Sequence, residues 1–193
     1  MKIVNLFTTP LFITNIEETK SLIPKLEAKA LYEEKNKSGR NVSNVGGHQT
    51  PFITLKEEPL YEKLVDRLMP EIKNTIHSFG YRDIYNIIIG RCWMNINRKG
   101  HLNLPHMHPN SDWSCIFYIK SDEKTSIRFH NTDQMRGELA MKIQDWNDYN
   151  CAEYDYLPKE NDFIMIPAHI QHSVAVNNTD NARISLAFNM QIA

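Results

Sequence analysis

The chain has 193 residues, and its 22 Lys and Arg residues nearly balance its 23 Asp and Glu residues, which gives a formal net charge of -1. Hydrophobic residues make up 41% of the sequence, as in an ordinary globular protein, and this excludes a fibrous repeat or a disordered chain. The balanced charge argues against nucleic acid or an anionic membrane as a partner held by bulk electrostatics. We therefore expect one domain over residues 1–193.

The first part of the chain, residues 1–84, predicts a short β arm and two helices. Residues 1–13 are apolar in short stretches that are typical of a strand. Apolar side chains recur at helical spacing over residues 16–34 and again over residues 59–79. Gly80 supplies the end of the second helix. We expect these helices to form a layer that packs on the rest of the protein.

From about Tyr85 onward the pattern changes from helical to strand-like. Short apolar segments alternate with turns rich in Gly, Pro, Asn and Asp, which is typical of an antiparallel barrel or jelly roll. The predicted strands cover residues 87–89, 92–96, 114–119, 126–129, 162–167 and 183–190. A polar, partly helical insertion interrupts them over about 132–160. The predicted fold class is α+β, mainly β, with a jelly-roll core over 85–193.

Five of the eight histidines lie in two short segments, residues 101–112 and 167–174. His106 and His108 are two positions apart, so on an extended strand both side chains point to the same side. His172 follows another predicted strand. Because strand ends converge at the mouth of a closed jelly roll, a histidine from each segment can meet there and bind one metal ion.

Arg183 lies eleven positions after His172, on a strongly apolar predicted strand. Alternation along that strand places Arg183 and Ser185 on one face. If this face points into the barrel, the guanidinium must find an anion, because an unpaired buried charge costs several kcal/mol. The alternative is an exposed arginine at a strand end, with histidines that only face solvent or bind loop carbonyls.

These segments and their order carry a resemblance to a known family. They are Trp93-x-Asn95, His106-Met107-His108-Pro109-Asn110-Ser111, Ser114 to Tyr118, Ile164 to Pro167, His172, and Arg183 to Asn189. In this order they resemble the 2-oxoglutarate- and Fe(II)-dependent oxygenases whose core carries an H-x-H-P-N-S segment. The resemblance runs from about Gly90 to Asn189 and is weaker over residues 41–51. That family belongs to the double-stranded β-helix (cupin-like jelly-roll) superfamily, with prolyl hydroxylases as distant relatives.

The resemblance implies a ferrous ion at the mouth of the barrel, chelated by 2-oxoglutarate as cosubstrate, with O₂ taking an open coordination position. Arg183 would hold the distal carboxylate of 2-oxoglutarate with support from the Ser185 hydroxyl, since a guanidinium matches a carboxylate bidentately. Tyr118 and Asn95 are further candidates for cosubstrate contact, although ordinary packing explains them equally well. The implied activity is hydroxylation of an unidentified substrate with release of succinate and CO₂.

The sequence departs from the superfamily's usual metal ligands, which are two histidines and a carboxylate in the order H-x-D/E…H. The residue two positions after His106 is His108. Either His106, His108 and His172 are the three metal ligands and catalytic residues, or Asp112 replaces one of the pair. The shared face of His106 and His108 favours the three-histidine set. Neutral ligands leave the metal more positive, which favours an anionic chelator.

Two other interpretations remain open at this stage. Gly100, His106-x-His108, Asp112 and a later His172 partly fit a cupin pattern, which predicts a metal-dependent dioxygenase or isomerase that does not use 2-oxoglutarate. A non-enzymatic, ligand-binding jelly roll with incidental histidines is the third interpretation. Arg183 and Ser185 discriminate among them, because they have an assigned role only in the 2-oxoglutarate interpretation.

The cysteines and the N-terminus indicate a cellular location. Cys92, Cys115 and Cys151 are odd in number and contain no C-x-x-C pair, so neither a disulfide framework nor a thiolate zinc site is expected. We expect thiols in a reducing compartment. The apolar N-terminal stretch is too short for a signal peptide, and no segment is apolar enough to span a membrane. The prediction is a cytoplasmic protein.

The sequence does not identify the primary substrate, which we expect to be a small molecule or a peptide and not a nucleic acid. The loop at residues 41–49 and the insertion at 132–160 are candidates for lids over the barrel mouth, since such segments set specificity. Aromatic residues of the insertion either stack on a substrate or anchor the insertion itself; they are Trp146, Tyr149, Tyr154 and Tyr156. The oligomeric state is open, and a homodimer is compatible with the sequence.

Overall fold

The computed structural model describes residues 8–81, 86–131, 143–145 and 149–193, together with residues 2, 4 and 147. The strands in these residues are β1 (Phe12–Asn15), β2 (Asn44–Val45), β3 (His48–Gln49), β4 (Ile87–Asn97), β5 (Leu102–His106), β6 (Trp113–Lys120), β7 (Ile127–His130), β8 (Glu153–Tyr156), β9 (Asp162–Pro167), β10 (His172–Val174) and β11 (Arg183–Ile192). The α-helices are α1 (Ile23–Asn36) and α2 (Pro59–Ser78), and 3₁₀ helices span Glu17–Leu22 and Leu55–Glu57. The mainly β fold class is confirmed.

The strands form two antiparallel sheets. The larger sheet has the order β1-β9-β6-β11-β4-β3, and the smaller sheet has the order β2-β5-β10-β7-β8. Apolar side chains from both sheets meet in one cluster, with Tyr118 and Ile164 from the larger sheet and Ile127 and Phe129 from the smaller. Two facing antiparallel sheets with this chain order form the predicted jelly roll.

Both helices cover the outer face of the larger sheet. Leu26 of α1 and Leu68 of α2 are fully buried in one cluster with Met94, Phe117 and Leu186 from the sheet. Burial of an aliphatic side chain of this size contributes about 1.5–3 kcal/mol, so this layer supplies much of the stability of the fold. None of the helices in the described part of the chain is long and apolar enough to cross a membrane.

The N-terminal elements differ in detail from the sequence expectation. The first predicted helix is divided into a 3₁₀ helix, Glu17–Leu22, and α1. Pro24 falls in the first turn of α1, where its missing N–H costs nothing. The N-terminal strand is Phe12–Asn15, later than the predicted arm, of which residues 1, 3 and 5–7 lie outside the described residues.

The insertion at about 132–160 is described only in part. Its later section forms β8, which pairs with β7 and extends the smaller sheet. Residues 138–142 of the predicted helical segment, 138–143, lie outside the described residues, as does Trp146. Tyr154 is half-exposed. The Tyr156 hydroxyl donates a hydrogen bond to Asp162 of β9 at 2.7 Å, so Tyr156 helps to anchor β8 to the larger sheet.

Candidate active site

Three histidines converge on one point at the ends of β5 and β10, two neighbouring strands inside the smaller sheet. His106 is the last residue of β5 and pairs directly with His172, the first residue of β10. His108 lies just beyond β5, where its backbone N–H donates to the Ala168 carbonyl at 2.9 Å. One nitrogen from each ring lies within 4.8 Å of the others, and the Nε2 atoms of His108 and His172 are 3.4 Å apart. The group is compact enough to bind one metal ion.

Backbone carbonyls orient two of these rings. His106 Nδ1 lies 2.8 Å from the Leu104 carbonyl oxygen, and His172 Nδ1 lies 3.1 Å from the Ile170 carbonyl oxygen. A carbonyl only accepts, so each Nδ1 carries the proton and each Nε2 keeps a free lone pair. This tautomer, fixed from behind by the backbone, is the form in which imidazole binds a metal.

The surroundings keep all three imidazoles neutral. Burial, together with the neighbouring His106, lowers the pKa of His172 to about 3 and that of His108 to about 4. Burial also lowers the pKa of His106. A protonated imidazole cannot bind a metal, so these shifts leave the three nitrogens available at neutral pH.

Asp112 is engaged elsewhere. Its carboxylate accepts a hydrogen bond from the Ile192 backbone N–H at 2.7 Å, at the end of β11. The metal-binding group found among the described residues contains the three histidines and not Asp112. The structure therefore brings together the set that the shared face of His106 and His108 favours.

A cavity of about 330 Å³ opens from the histidines between the two sheets. Its walls include inward-facing side chains of the larger sheet, among them Trp93, Asn95, Ser114, Arg183, Ser185 and Ala187. The loop before α2 also contributes, with Val42, Ser43 and Gln49. The loop that was predicted as a candidate lid thus lines the same cavity as the histidines.

Arg183 is buried in this cavity, with only 3% of its surface exposed. Its Nη2 donates to the Tyr118 hydroxyl at 2.8 Å, whereas its buried Nε has no hydrogen-bond partner. Among the described residues no carboxylate lies within ion-pair distance of the guanidinium. A buried, incompletely bonded guanidinium is the group that an incoming carboxylate would complete.

The other predicted cosubstrate residues surround Arg183 in different ways. Ser185 is buried on the same inward face of β11 and pairs across the sheet with Asn95, which also lines the cavity. Tyr118 is fully buried behind Arg183 and lies among the apolar residues between the sheets. The structure therefore places Ser185 and Asn95 on the cavity wall, and Tyr118 in a position to orient the arginine.

The sequence assigned no role in the site to several residues that line the cavity. Trp93 stacks on His108, with ring centres 5.7 Å apart and planes at 19°, and Phe52 and Arg91 line the cavity further out. Arg91 and Trp93 have the same parity as Asn95 on β4, so strand alternation was a usable signal for them. Phe52 lies in a loop and has no such signal.

The sequence over residues 91–189, just over half of the chain, matches a family model described as "Putative 2OG-Fe(II) oxygenase". No curated protein sequence matches the chain. Solved structures with the same fold include a prolyl-4-hydroxylase from Pseudomonas putida, which is 13% identical, with a TM-score of 0.64 over 95% of this chain and 93% of that chain. HygX from Streptomyces hygroscopicus, solved with nickel and 2-oxoglutarate, is 13% identical, with a TM-score of 0.63 over 95% and 83%. At these identities the structures show the fold alone.

Proposed function

The chain belongs to the 2OG-Fe(II) oxygenase family, and on that premise we propose that it hydroxylates a C–H bond of a small-molecule or peptide substrate. It is an oxygenase that depends on Fe(II) and 2-oxoglutarate. When bound, these groups supply the oxidising chemistry: one atom of O₂ enters succinate as CO₂ leaves, and the other becomes the new hydroxyl group of the substrate. Family membership decides against the cupin and the non-enzymatic interpretations.

The observation that carries the proposal is the buried Arg183 guanidinium in the same cavity as the three histidines. A metal site alone fits many enzymes, whereas a buried cation with an unused N–H in the same cavity as the metal ligands fits an anionic chelator. We assign the distal carboxylate of 2-oxoglutarate to Arg183, with the Ser185 hydroxyl beside it. Tyr118 positions the guanidinium by accepting its Nη2 hydrogen bond.

The remaining side chains of the cavity form the metal site and its immediate surroundings. His106, His108 and His172 present neutral nitrogens, and the carbonyls of Leu104 and Ile170 fix two of the rings. Because no carboxylate contributes negative charge, a divalent ion held here would keep its full charge for an anionic cosubstrate. Trp93 covers one face of His108 and limits the access of water to it. Asn95 extends the polar wall next to Ser185.

We also propose that the chain forms a single domain and is cytoplasmic. The helices of residues 1–84 share one hydrophobic cluster with the strands of residues 85–193, which supports one domain. Cys92, Cys115 and Cys151 are all free thiols, which supports a reducing compartment. With a net charge of -1, neither nucleic acid nor a membrane is proposed as a partner, and a homodimer is compatible with the proposal.

The proposal is tested by anaerobic calorimetry, with 2-oxoglutarate titrated into the Fe(II)-loaded protein. Arg183→Gln should weaken cosubstrate binding at least 100-fold, because about two charge-assisted hydrogen bonds of roughly 1.5–3 kcal/mol each are lost. Iron stoichiometry should stay unchanged. Arg128→Gln is the matched control, since Arg128 is partly exposed and pairs with Asp155 outside the cavity. Equal affinity of wild type and Arg183→Gln for 2-oxoglutarate would contradict the assignment.

A further inference from the structure

The outer rim of the cavity carries two arginines on one aromatic ring. The guanidinium carbon of Arg40 lies 4.0 Å from the centre of the Phe52 ring, and that of Arg91 lies 5.5 Å from the same centre. The two positive charges are therefore no more than about 9.5 Å apart. Both side chains are exposed, and Phe52 and Arg91 line the cavity.

These arginines differ from the others in the described residues. Arg98 pairs with Glu34, Arg128 pairs with Asp155, Arg67 bonds to Ser21, and Arg183 bonds to Tyr118. No side-chain hydrogen bond or ion pair is found for the guanidinium of Arg40 or of Arg91 within the described part of the chain. Two like charges near each other without a counter-ion attract an anion, and an anion between them relieves their repulsion.

Backbone hydrogen bonds fix this arrangement. The Arg40 N–H donates to the Gln49 carbonyl at 2.8 Å, which ties the loop to the strand that pairs with β4. Next to Phe52 and Arg91, Ile53 and Cys92 exchange two backbone hydrogen bonds of 3.1 and 2.8 Å. The two guanidiniums are therefore carried by segments that are joined through the backbone on both sides.

An aromatic path connects this rim to the metal-binding histidines. Phe52 meets Trp93 edge to face, with ring centres 5.2 Å apart, and Trp93 stacks on His108 at 5.7 Å. The two steps keep Phe52 within about 11 Å of His108. A molecule that touches both the arginines and the metal site would lie along these rings, inside the cavity.

We propose that Arg40 and Arg91 bind an anionic group of the primary substrate, a carboxylate or a phosphate. An apolar or flat part of the same molecule packs along Phe52 and Trp93 toward the metal. The inference rests on the proposed function, because it assigns the substrate end of the same cavity. The cavity then has two anion-binding sites: the buried Arg183 binds the cosubstrate, and the exposed pair of arginines at the rim selects the substrate.

The test uses probes that need neither iron nor 2-oxoglutarate. Phenyl phosphate, phenylacetate and the neutral benzyl alcohol are titrated into the full chain without added metal, with Trp fluorescence and calorimetry as readouts. At least one anionic probe should bind tenfold or more tightly than benzyl alcohol, and rising NaCl should weaken it. Comparison of the two anions tells whether the rim prefers phosphate or carboxylate, and either preference supports the proposal.

Variants locate the binding. Arg40→Gln combined with Arg91→Gln should lower the affinity for the anionic probe at least tenfold. Arg40→Lys combined with Arg91→Lys should recover part of the lost affinity. Lys63→Gln combined with Lys73→Gln is the matched control. These lysines are exposed on α2 and do not line the cavity, so their replacement removes the same amount of charge at a different place. Unchanged binding in the double glutamine variant, or equal binding of benzyl alcohol, would overturn the subsite.

The outcome is separable from that of the proposed function. If the probes bind as expected while Fe(II)-loaded wild type fails to bind 2-oxoglutarate, the anion site stands and the oxygenase assignment of the cavity is contradicted. If 2-oxoglutarate binding depends on Arg183 while probe binding does not depend on Arg40 and Arg91, only the proposed substrate subsite is overturned.

Discussion

The two faces of β11 have opposite character although their residues alternate along one strand. Ile184, Leu186 and Phe188 face the helices and are fully buried among apolar side chains. Arg183 and Ser185 face the cavity, where the buried Nε of Arg183 lacks a hydrogen-bond partner. Unsatisfied buried polar groups cost stability, so the outer face stabilises the fold while the inner face keeps groups free for a ligand.

Truncation on either side of this strand should separate the two roles. Leu186→Ala should lower the free energy of unfolding by about 2–5 kcal/mol, because it leaves a cavity in the helix-covered layer. Ser185→Ala, one residue away, should cost less than about 1 kcal/mol. Urea denaturation of both variants measures the difference. Similar losses for the two would show that both faces serve stability alike.

Acid should act on the inner site and not on the outer layer. The pKa values of His108 and His172 are lowered to about 4 and about 3, so below the unfolded value near 6.5 the unfolded chain binds more protons. Their contribution to stability is complete above pH 6.5 and is lost as the pH falls toward the folded values. As the pH falls from 7 to 5, the protonation of each histidine in the unfolded chain should lower the free energy of unfolding by roughly 1–2 kcal/mol.

The comparison of variants sharpens this expectation. All proteins are compared without metal. The stability of His172→Gln should fall less between pH 7 and pH 5 than that of the wild type. Leu186→Ala should be less stable at pH 7 but should lose stability with pH as steeply as the wild type. Urea midpoints collected across this pH range give both slopes. A wild-type protein whose stability is flat over the same range would contradict the burial of neutral imidazoles.

Strand alternation explains how much of the inner face the sequence predicted. Arg183 and Ser185 were placed on one face because side chains alternate with period two, and this signal is local. The same signal extends to Arg91 and Trp93. By contrast, the contact of Arg40 and Arg91 with Phe52 joins distant parts of the chain, and no local pattern encodes it.

The position of His172 shows a second limit. It was expected near the end of the strand that covers residues 162–167, but it begins β10, which belongs to the other sheet. The chain crosses between sheets over residues 168–171, a turn whose direction depends on tertiary packing. The meeting of His172 with His106 followed from the general geometry of a jelly roll, whereas their direct pairing across β10 and β5 required the structure.

Iron titration of single variants tests the central claim, that three imidazoles hold the metal. Under anaerobic conditions, wild type and Asp112→Asn should each bind one Fe(II) per chain. His106→Ala, His108→Ala and His172→Ala should each lose stoichiometric binding, because each removes one of the three nitrogens that lie within 4.8 Å of one another. Retention of iron by His108→Ala together with its loss in Asp112→Asn would contradict the account.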